Sequence, residues 1–287
     1  MNKKGSAVVS YQYFIFISFL FLSLFVSAEQ ETDYITIAIL AKDKAHSLPL
    51  YLRCIEAQTW PKEKIYLYIR TNNNNDNTVE ILKTWIARFG HLYAGIYFDD
   101  TDVTEKIQEF GQHEWNCTRF KILGKIRNDS AVWAYKHNSH YFVVDCDNFI
   151  KPSTLESLMK LKLPIVAPLM IVPGIYYSNF HIAIDQNGYL IPSKFAEVLY
   201  NQEIKGIVEV PVVHCCYLMR RECIPFITYD DNSYRYEYVI FSDVARRNRV
   251  TQYLDNRELY GYITFAENVE DMEKESWVPR VKEWFQK

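Results

Sequence analysis

The stretch His140-Tyr-Phe-Val-Val-Asp-Cys-Asp-Asn-Phe-Ile150 decides the fold. Its apolar run, Tyr141 to Val144, reads as a buried strand. The run ends at two aspartates one residue apart, Asp145 and Asp147. In an extended chain residues i and i+2 project to the same side, so both carboxylates can meet one hard cation. They stand at the C-terminal end of the strand, where open α/β sheets bind ligands. A magnesium or manganese ion held by one or two carboxylates keeps positions open for substrate phosphates. Taken alone, Asp-x-Asp is more often an Asx turn after a strand. The apolar strand before it and the context on either side reverse those odds.

Working upstream, Tyr34 to Ala41 reads as a first, largely buried strand. After the loop Lys42 to His46, Ser47 can cap a helix whose first turn tolerates Pro49. Leu50, Leu52 and Ile55 supply its apolar face, and Trp60-Pro61 stops it. Ile65 to Arg70 is a second strand. Asp76 or Asn77 can cap a second helix, on which Ile81, Leu82, Trp85 and Ile86 have helical spacing. This β-α-β-α opening favours a mostly parallel sheet with helices on both faces. Asp99 to Asn116 reads as a polar, mobile loop. Thr118 to Tyr135 reads as a third helix, with Phe120, Leu123, Ile126 and Trp133 along one side.

Downstream, Ser153-Thr-Leu-Glu156 is a capping-box pattern opening another helix. Pro164 to Pro168 is a short buried strand. The pattern then changes. His181 to Ile184 and Tyr189 to Ile191 flank Asn187-Gly188, a hairpin signal. Val208 to Met219 reads as a long strand, Tyr236 to Arg246 as a helix and Thr251 to Leu254 as a last strand. From Glu267 the chain is charged, with Trp277, Val281 and Trp284 on an amphipathic helix. The predicted fold is α/β: a nucleotide-type half with a mostly parallel sheet, then a smaller mixed half facing an acceptor.

The chain has 287 residues and a net charge of −3, which excludes a generally basic surface of the nucleic-acid-binding kind. A hydrophobic content of 49% is ample for one large α/β domain. At the N-terminus, Lys3 and Lys4 precede an apolar run from Tyr13 to Val26, and Val26-Ser27-Ala28 fits a cleavage site. Residues 1–28 are expected to be a signal peptide, with an uncleaved signal anchor as the alternative. Either places the rest of the chain in the secretory pathway, the endoplasmic reticulum lumen first, with the Golgi or secretion open. The six cysteines then lie in a disulfide-permissive compartment. Buried thiols plus one or two bridges are expected. Asn116-Cys-Thr and Asn128-Asp-Ser are glycosylation sequons, the second within a helical pattern.

Several ordered motifs carry a resemblance. Ile39 to Leu52, Asp76 to Leu82 and Tyr141 to Asn148 resemble the procollagen galactosyltransferase and cerebral endothelial cell adhesion molecule family. The likeness continues through Val166 to Pro168, Tyr177 to Phe180, Val210 to His214 and Glu258 to Gly261. It covers about Ile35 to Ile263. The resemblance implies a GT-A glycosyltransferase domain over residues 33–265, followed by a charged tail at 266–287. It implies a UDP-sugar donor (UDP-galactose), a divalent metal such as manganese, and collagen hydroxylysine as the acceptor class. The family carries a second transferase-like domain and a C-terminal retention tetrapeptide; this chain ends Trp284-Phe-Gln-Lys287. Where the family has an acidic pair, this chain reads Tyr236-Glu237.

Roles follow, each with a competing structural reading. Asp145 and Asp147 can hold a metal that bridges the donor's phosphates. His214 follows a strand and can add a nitrogen ligand, or serve as a structural histidine. Ala41, Asp43, Asn72 and Asp76 follow the first two strands, where loops can grip uracil and ribose; helix capping competes for Asp76. Lys125 and Arg127 can pair with diphosphate or with Asp145, or be solvated. Inverting transfer needs a carboxylate base, and Glu237 stands at the family's second acidic position. A solvated glutamate at a helix start competes there. The function expected is a metal-dependent transferase moving a sugar from a UDP-sugar to a protein hydroxyl. The alternative is an inactive, transferase-like binding or adhesion protein.

Overall fold

The computed structural model describes residues 32–104 and 116–286. The expected signal segment and most of the loop expected before the third helix lie outside the described residues.

Residues 33–287 form one unit. Its first part alternates strand and helix: β1 (Ile35–Ala41), α1 (Leu48–Glu56), β2 (Ile65–Thr71), α2 (Thr78–Phe89), β3 (Gly95–Asp99), α3 (Cys117–Lys136) and β4 (His140–Val144). The second part contains β5 (Asn148–Ile150), α4 (Thr154–Leu161), β6 (Ile165–Pro168), β7 (Met170–Ile171), β8 (Phe180–His181), α5 (Lys194–Tyr200), β9 (Ile207–Glu209), β10 (Val212–Val213) and β11 (Cys216–Met219). The chain closes with α6 (Glu237–Arg247), β12 (Gln252–Asp255), β13 (Gly261–Ile263), α7 (Val269–Lys274) and α8 (Val278–Glu283).

The main sheet has eight strands in the order β3-β2-β1-β4-β11-β6-β12-β9. The first four run parallel, with Ile35 opposite both Ile65 and His140. β11 lies antiparallel between β4 and β6. Strand periodicity explains the two-sided core. Ile35, Ile37, Ile39, Phe142 and Val144 face α1, α2 and the C-terminal helices. Ala38, Tyr141 and Val143 face Ala131 and Ala134 of α3 and Phe241 of α6.

Several expectations are revised. The long strand Val208–Met219 is three strands in two different sheets. Pro211 lacks a backbone donor, and Cys215 turns the chain sharply at φ +51°, so no continuous ladder can form. β3, a strand not expected from the sequence, pairs with β2 at the sheet edge and ends at Asp99, where the expected loop begins. A separate three-stranded sheet, β5-β13-β7, sits beneath the Asp-x-Asp turn. Gly261 belongs there because a Cβ would collide with the Phe149 carbonyl. The hairpin at Asn187-Gly188 shrinks to a turn with one bridge, Ile184 to Leu190. The capping box at Ser153 is not made: Glu156 instead accepts from Thr59 at 2.6 Å and Lys160 at 2.7 Å. Ser47 also forms no cap bond, and its hydroxyl donates back to the Lys44 carbonyl.

The buried side of α3 is Phe120, as expected, with Gly124, Arg127, Ser130, Ala131 and Ala134 in place of Leu123, Ile126 and Trp133. Small residues let the helix approach the sheet closely, leaving Leu123, Ile126 and Trp133 half-buried at its flank. The C-terminal amphipathic segment forms two short helices rather than one. Trp277 is buried against Phe149 and Tyr262, at ring distances of 4.8 and 5.4 Å. All six cysteines are free thiols, so the expected bridges are not present.

Candidate active site

The loops after β1 and β2 hold each other through side-chain caps. Asp43 accepts from the Asn75 amide at 2.6 Å, while its own amide donates to Asn74 Oδ1 at 2.9 Å. Asp76 accepts from the amides of Ala45 and Thr78, both at 2.9 Å. The Lys44 amide donates to Thr78 Oγ1 at 2.7 Å. Asp43 and Asp76, read as nucleotide-gripping residues, therefore build the loops, and neither lines the cleft beside them. Burial pushes the Asp76 carboxyl up, but the hydrogen bonds from Thr78 and Ala45 outweigh it and hold it below its ordinary value.

Ala41 and Asn72 do line that cleft, together with Lys44, Arg119, Arg127, Asp145 and Asp147. The two aspartates reach it through a turn rather than an extended strand: the Asn148 amide donates to the Asp145 carbonyl at 2.9 Å. The turn is fixed from two sides. Asp145 donates its amide to the Cys215 carbonyl at 2.9 Å, and the Asp147 carbonyl accepts from Thr264 at 3.0 Å. Cys146 between them is buried, with its thiol 3.5 Å from the Leu40 carbonyl.

Each carboxylate has a cation. Arg127 Nη2 donates to Asp145 Oδ1 at 2.8 Å, and Lys44 Nζ lies 3.3 Å from Asp147 Oδ2. Both aspartates keep about a quarter of their side-chain surface open, 29% and 26%. Burial raises the Asp145 carboxyl above its ordinary value; Arg127 opposes this and the charge of Asp147 adds to it. As a donor set, two carboxylates facing one cleft suit a hard divalent cation completed by phosphate oxygens. Among the described residues no group of three His, Cys, Asp or Glu side chains forms a complete metal cage.

His214 does not join the aspartates in such a group. Its ring is buried among His181, Tyr177 and Tyr238, at ring distances of 5.2, 5.9 and 5.0 Å. Burial holds His214 well below its ordinary pKa and His181 at about 4, so both rings are neutral near pH 7. Lys125 is also elsewhere: it lines a neighbouring groove with Tyr68, Tyr97 and Trp133.

Glu237 opens α6 and is buried against α3. Arg127 reaches it as well, with Nε 3.5 Å from Glu237 Oε1. Its Oε2 is buried with no hydrogen-bond partner among the described residues. Gly124 makes this approach possible, because a Cβ there would stand 2.6 Å from the Tyr229 carbonyl and 3.5 Å from Glu237 Cβ. Burial raises the Glu237 carboxyl to about 7; Arg127 pulls it down and Asp145 pushes it up. That value suits a general base working near neutrality.

Sequence reasoning missed Lys44 and Arg119. A signal was available for the second. Arg119 sits in the first turn of α3, where a cation opposes the helix dipole, so it needs another reason to be there.

The sequence of residues 32–277 matches the family described as glycosyltransferase family 25, N-terminal domain. The chain belongs to glycosyltransferase family 25. It is 29% identical over 267 residues to procollagen galactosyltransferase 2 of Homo sapiens, covering 87% of this chain and 42% of that one. It is 31% identical over 238 residues to procollagen galactosyltransferase 1 of Danio rerio, covering 79% and 39%. Inactive glycosyltransferase 25 family member 3 of Homo sapiens is 29% identical over 246 residues, covering 82% and 41%. This family 25 chain spans less than half the length of these relatives. In solved structures it is similar to S. aureus TarS 1-349 in complex with UDP-GlcNAc, with a TM-score of 0.53 and 14% identity over 84% of this chain and 61% of that one. The same protein in complex with UDP gives a TM-score of 0.52 and 12% identity over 81% and 61%. The likeness shows the fold, which is of the GT-A type.

Proposed function

We propose that this chain is a metal-dependent glycosyltransferase that moves a sugar, galactose, from a UDP-sugar to a protein hydroxyl such as collagen hydroxylysine. The observation that carries the reading is the arrangement around Arg127. On one side Asp145 and Asp147 face a cleft rich in cations; on the other a buried carboxylate titrates near neutrality. Asp145 and Asp147 would hold the divalent cation, manganese, which when bound neutralises charge on the leaving diphosphate. Ala41 and Asn72 border the nucleotide. Glu237 takes the proton from the acceptor hydroxyl as that oxygen attacks the sugar's anomeric carbon, with inversion. The acceptor class rests on the relatives' names.

We place the protein in the secretory pathway on the strength of the Lys3-Lys4, apolar-run and Ala28 arrangement. Among the described residues no helix is long and apolar enough to cross a membrane. The test of function is a donor-by-acceptor screen on residues 29–287 with manganese, UDP-galactose and hydroxylysine-bearing collagen peptides. Transfer of galactose with inversion supports the proposal.

A second reading has its own support. The relative called inactive is as similar to this chain as the human galactosyltransferase, at 29% identity. Glu237 is moreover held by Arg127 away from solvent. Under this reading the chain binds a UDP-sugar without turning it over. Tight UDP-galactose binding with neither hydrolysis nor transfer would select it.

A further inference from the structure

The cleft holds more positive charge than its two aspartates need, and the surplus is not equally mobile. Arg70 is tied to Asp99 at 3.4 Å and to the Thr101 carbonyl at 2.5 Å. Arg127 is buried between Asp145 and Glu237. Lys42 pairs with Asp43 at 3.5 Å near the surface. Lys44 differs from the two arginines in its loose hold and from Lys42 in its partner, which is a carboxylate of the cleft itself. Its backbone is pinned by Thr78, but its ammonium makes one long contact, 3.3 Å, with Asp147. A charge-assisted bond of this kind is usually about 2.7–2.9 Å. A lysine is a compact charge on a flexible four-carbon stem, able to move without moving its backbone.

We propose that Lys44 is an exchangeable counter-cation: it occupies Asp147 until a divalent ion arrives, then turns with Arg119 onto the diphosphate of the donor. This rests on the reading of the cleft as a nucleotide-sugar site. The charges are consistent with it. Two carboxylates carry two negative charges, which a divalent ion cancels without help. Lys44 is then released with one positive charge. Arg119 lines the same cleft and carries a second. A nucleoside diphosphate ester presents about two negative charges to that surface. No covalent step is involved. Lys44 competes with the metal when no nucleotide is present and cooperates with it when nucleotide is present, so its removal has opposite signs in the two conditions.

The experiment is calorimetry on the purified chain with three probes: manganese alone, UDP alone, and UDP in saturating manganese. In Lys44→Gln, manganese alone should bind more tightly, by roughly threefold to fivefold. UDP in manganese should bind about tenfold more weakly. Lys44→Arg should restore part of the nucleotide affinity, and Lys160→Gln, at an exposed pair with Glu156 outside the cleft, should change neither by more than about twofold. Lys44→Met serves as a second neutral variant, with thermal melting to establish that each variant is folded. Shifts in the same direction, or no shift in either, overturn the exchange while leaving the donor site itself standing. A wild-type chain that takes up neither manganese nor UDP overturns the exchange and the donor site together.

Discussion

The guanidinium of Arg127 lies 3.5 Å from Glu237 Oε1, and the two residues are 4% and 5% exposed. The same guanidinium holds Asp145 at 2.8 Å. The two halves of the proposed chemistry, leaving diphosphate and acceptor proton, thus share one buried cation. Glu237→Gln keeps shape but cannot take a proton. Transfer should fall by ~10²–10⁴-fold, the usual cost of losing a general base. UDP-galactose affinity should hold, because the metal-side carboxylates are untouched. Paired turnover and calorimetry check this; full turnover in the variant places the base elsewhere.

The elevated Glu237 carboxyl gives a pH prediction with two readouts. A base works when deprotonated, so kcat/KM should rise with pH through about 7, not through the ordinary glutamate value of 4.5. Stability should move the other way. Between those two values the folded chain holds a proton that the unfolded chain has released, so this group's contribution is present below 4.5 and is lost as pH rises through about 7. Thermal melts across that range should show a downward slope in wild type that is reduced in Glu237→Gln. Identical slopes would contradict the burial argument.

Trp277→Ala should unfold more than a tail. The ring packs on Phe149 and Tyr262, which belong to the small sheet under the aspartate turn. Truncating a buried tryptophan costs about 3–5 kcal/mol. Urea denaturation should show that loss in a single transition; a loss under about 1 kcal/mol would mean the C-terminal helices dock only loosely.

The Asp-x-Asp strand, the β-α-β-α opening and the start of α6 were legible because each depends on local periodicity. What was not legible depends on partners far away in sequence. Nothing near Arg127 announces that it meets Glu237, 110 residues later. The side of α3 that carries Arg127 was misread because its packing uses Gly124, Ala131 and Ala134, and small residues contribute little to an apolar pattern. The spacing of those small residues was the usable signal. The long strand before α6 failed for a backbone reason. Cys215 is an unusual residue to hold at φ +51°, and no composition rule anticipates a turn there. Asp43 and Asp76 have the right residue type and place for nucleotide contacts, but loop amides claim their oxygens first.

Gly124→Ala tests the close contact behind the base. The added methyl would stand 2.6 Å from the Tyr229 carbonyl, which is backbone and cannot swing aside. Overpacking of this kind costs roughly 1–3 kcal/mol. Because Glu237 Cβ is the next neighbour at 3.5 Å, turnover should fall further than UDP affinity. Unchanged melting and turnover would show that α3 has slack.

Asp145→Ala and Asp147→Ala should part company. Both remove a carboxylate from the cation site, so both should lose manganese-dependent UDP affinity. Their effects on folding differ because their partners differ. Asp147 faces Lys44, whose ammonium can turn to solvent, so its loss should cost at most about 1 kcal/mol. Asp145 faces Arg127, which cannot leave. Removing one partner of a buried pair typically costs about 3–5 kcal/mol, here softened by the remaining contact with Glu237. Asp145→Asn, which keeps a hydrogen-bond acceptor for Arg127, should recover part of that stability without recovering metal binding. Urea denaturation and calorimetry on the three variants separate the two roles. Equal stability loss in Asp145→Ala and Asp147→Ala would mean that Arg127 is less confined than its burial indicates. Unchanged manganese-dependent affinity in both would remove the aspartate turn from the site.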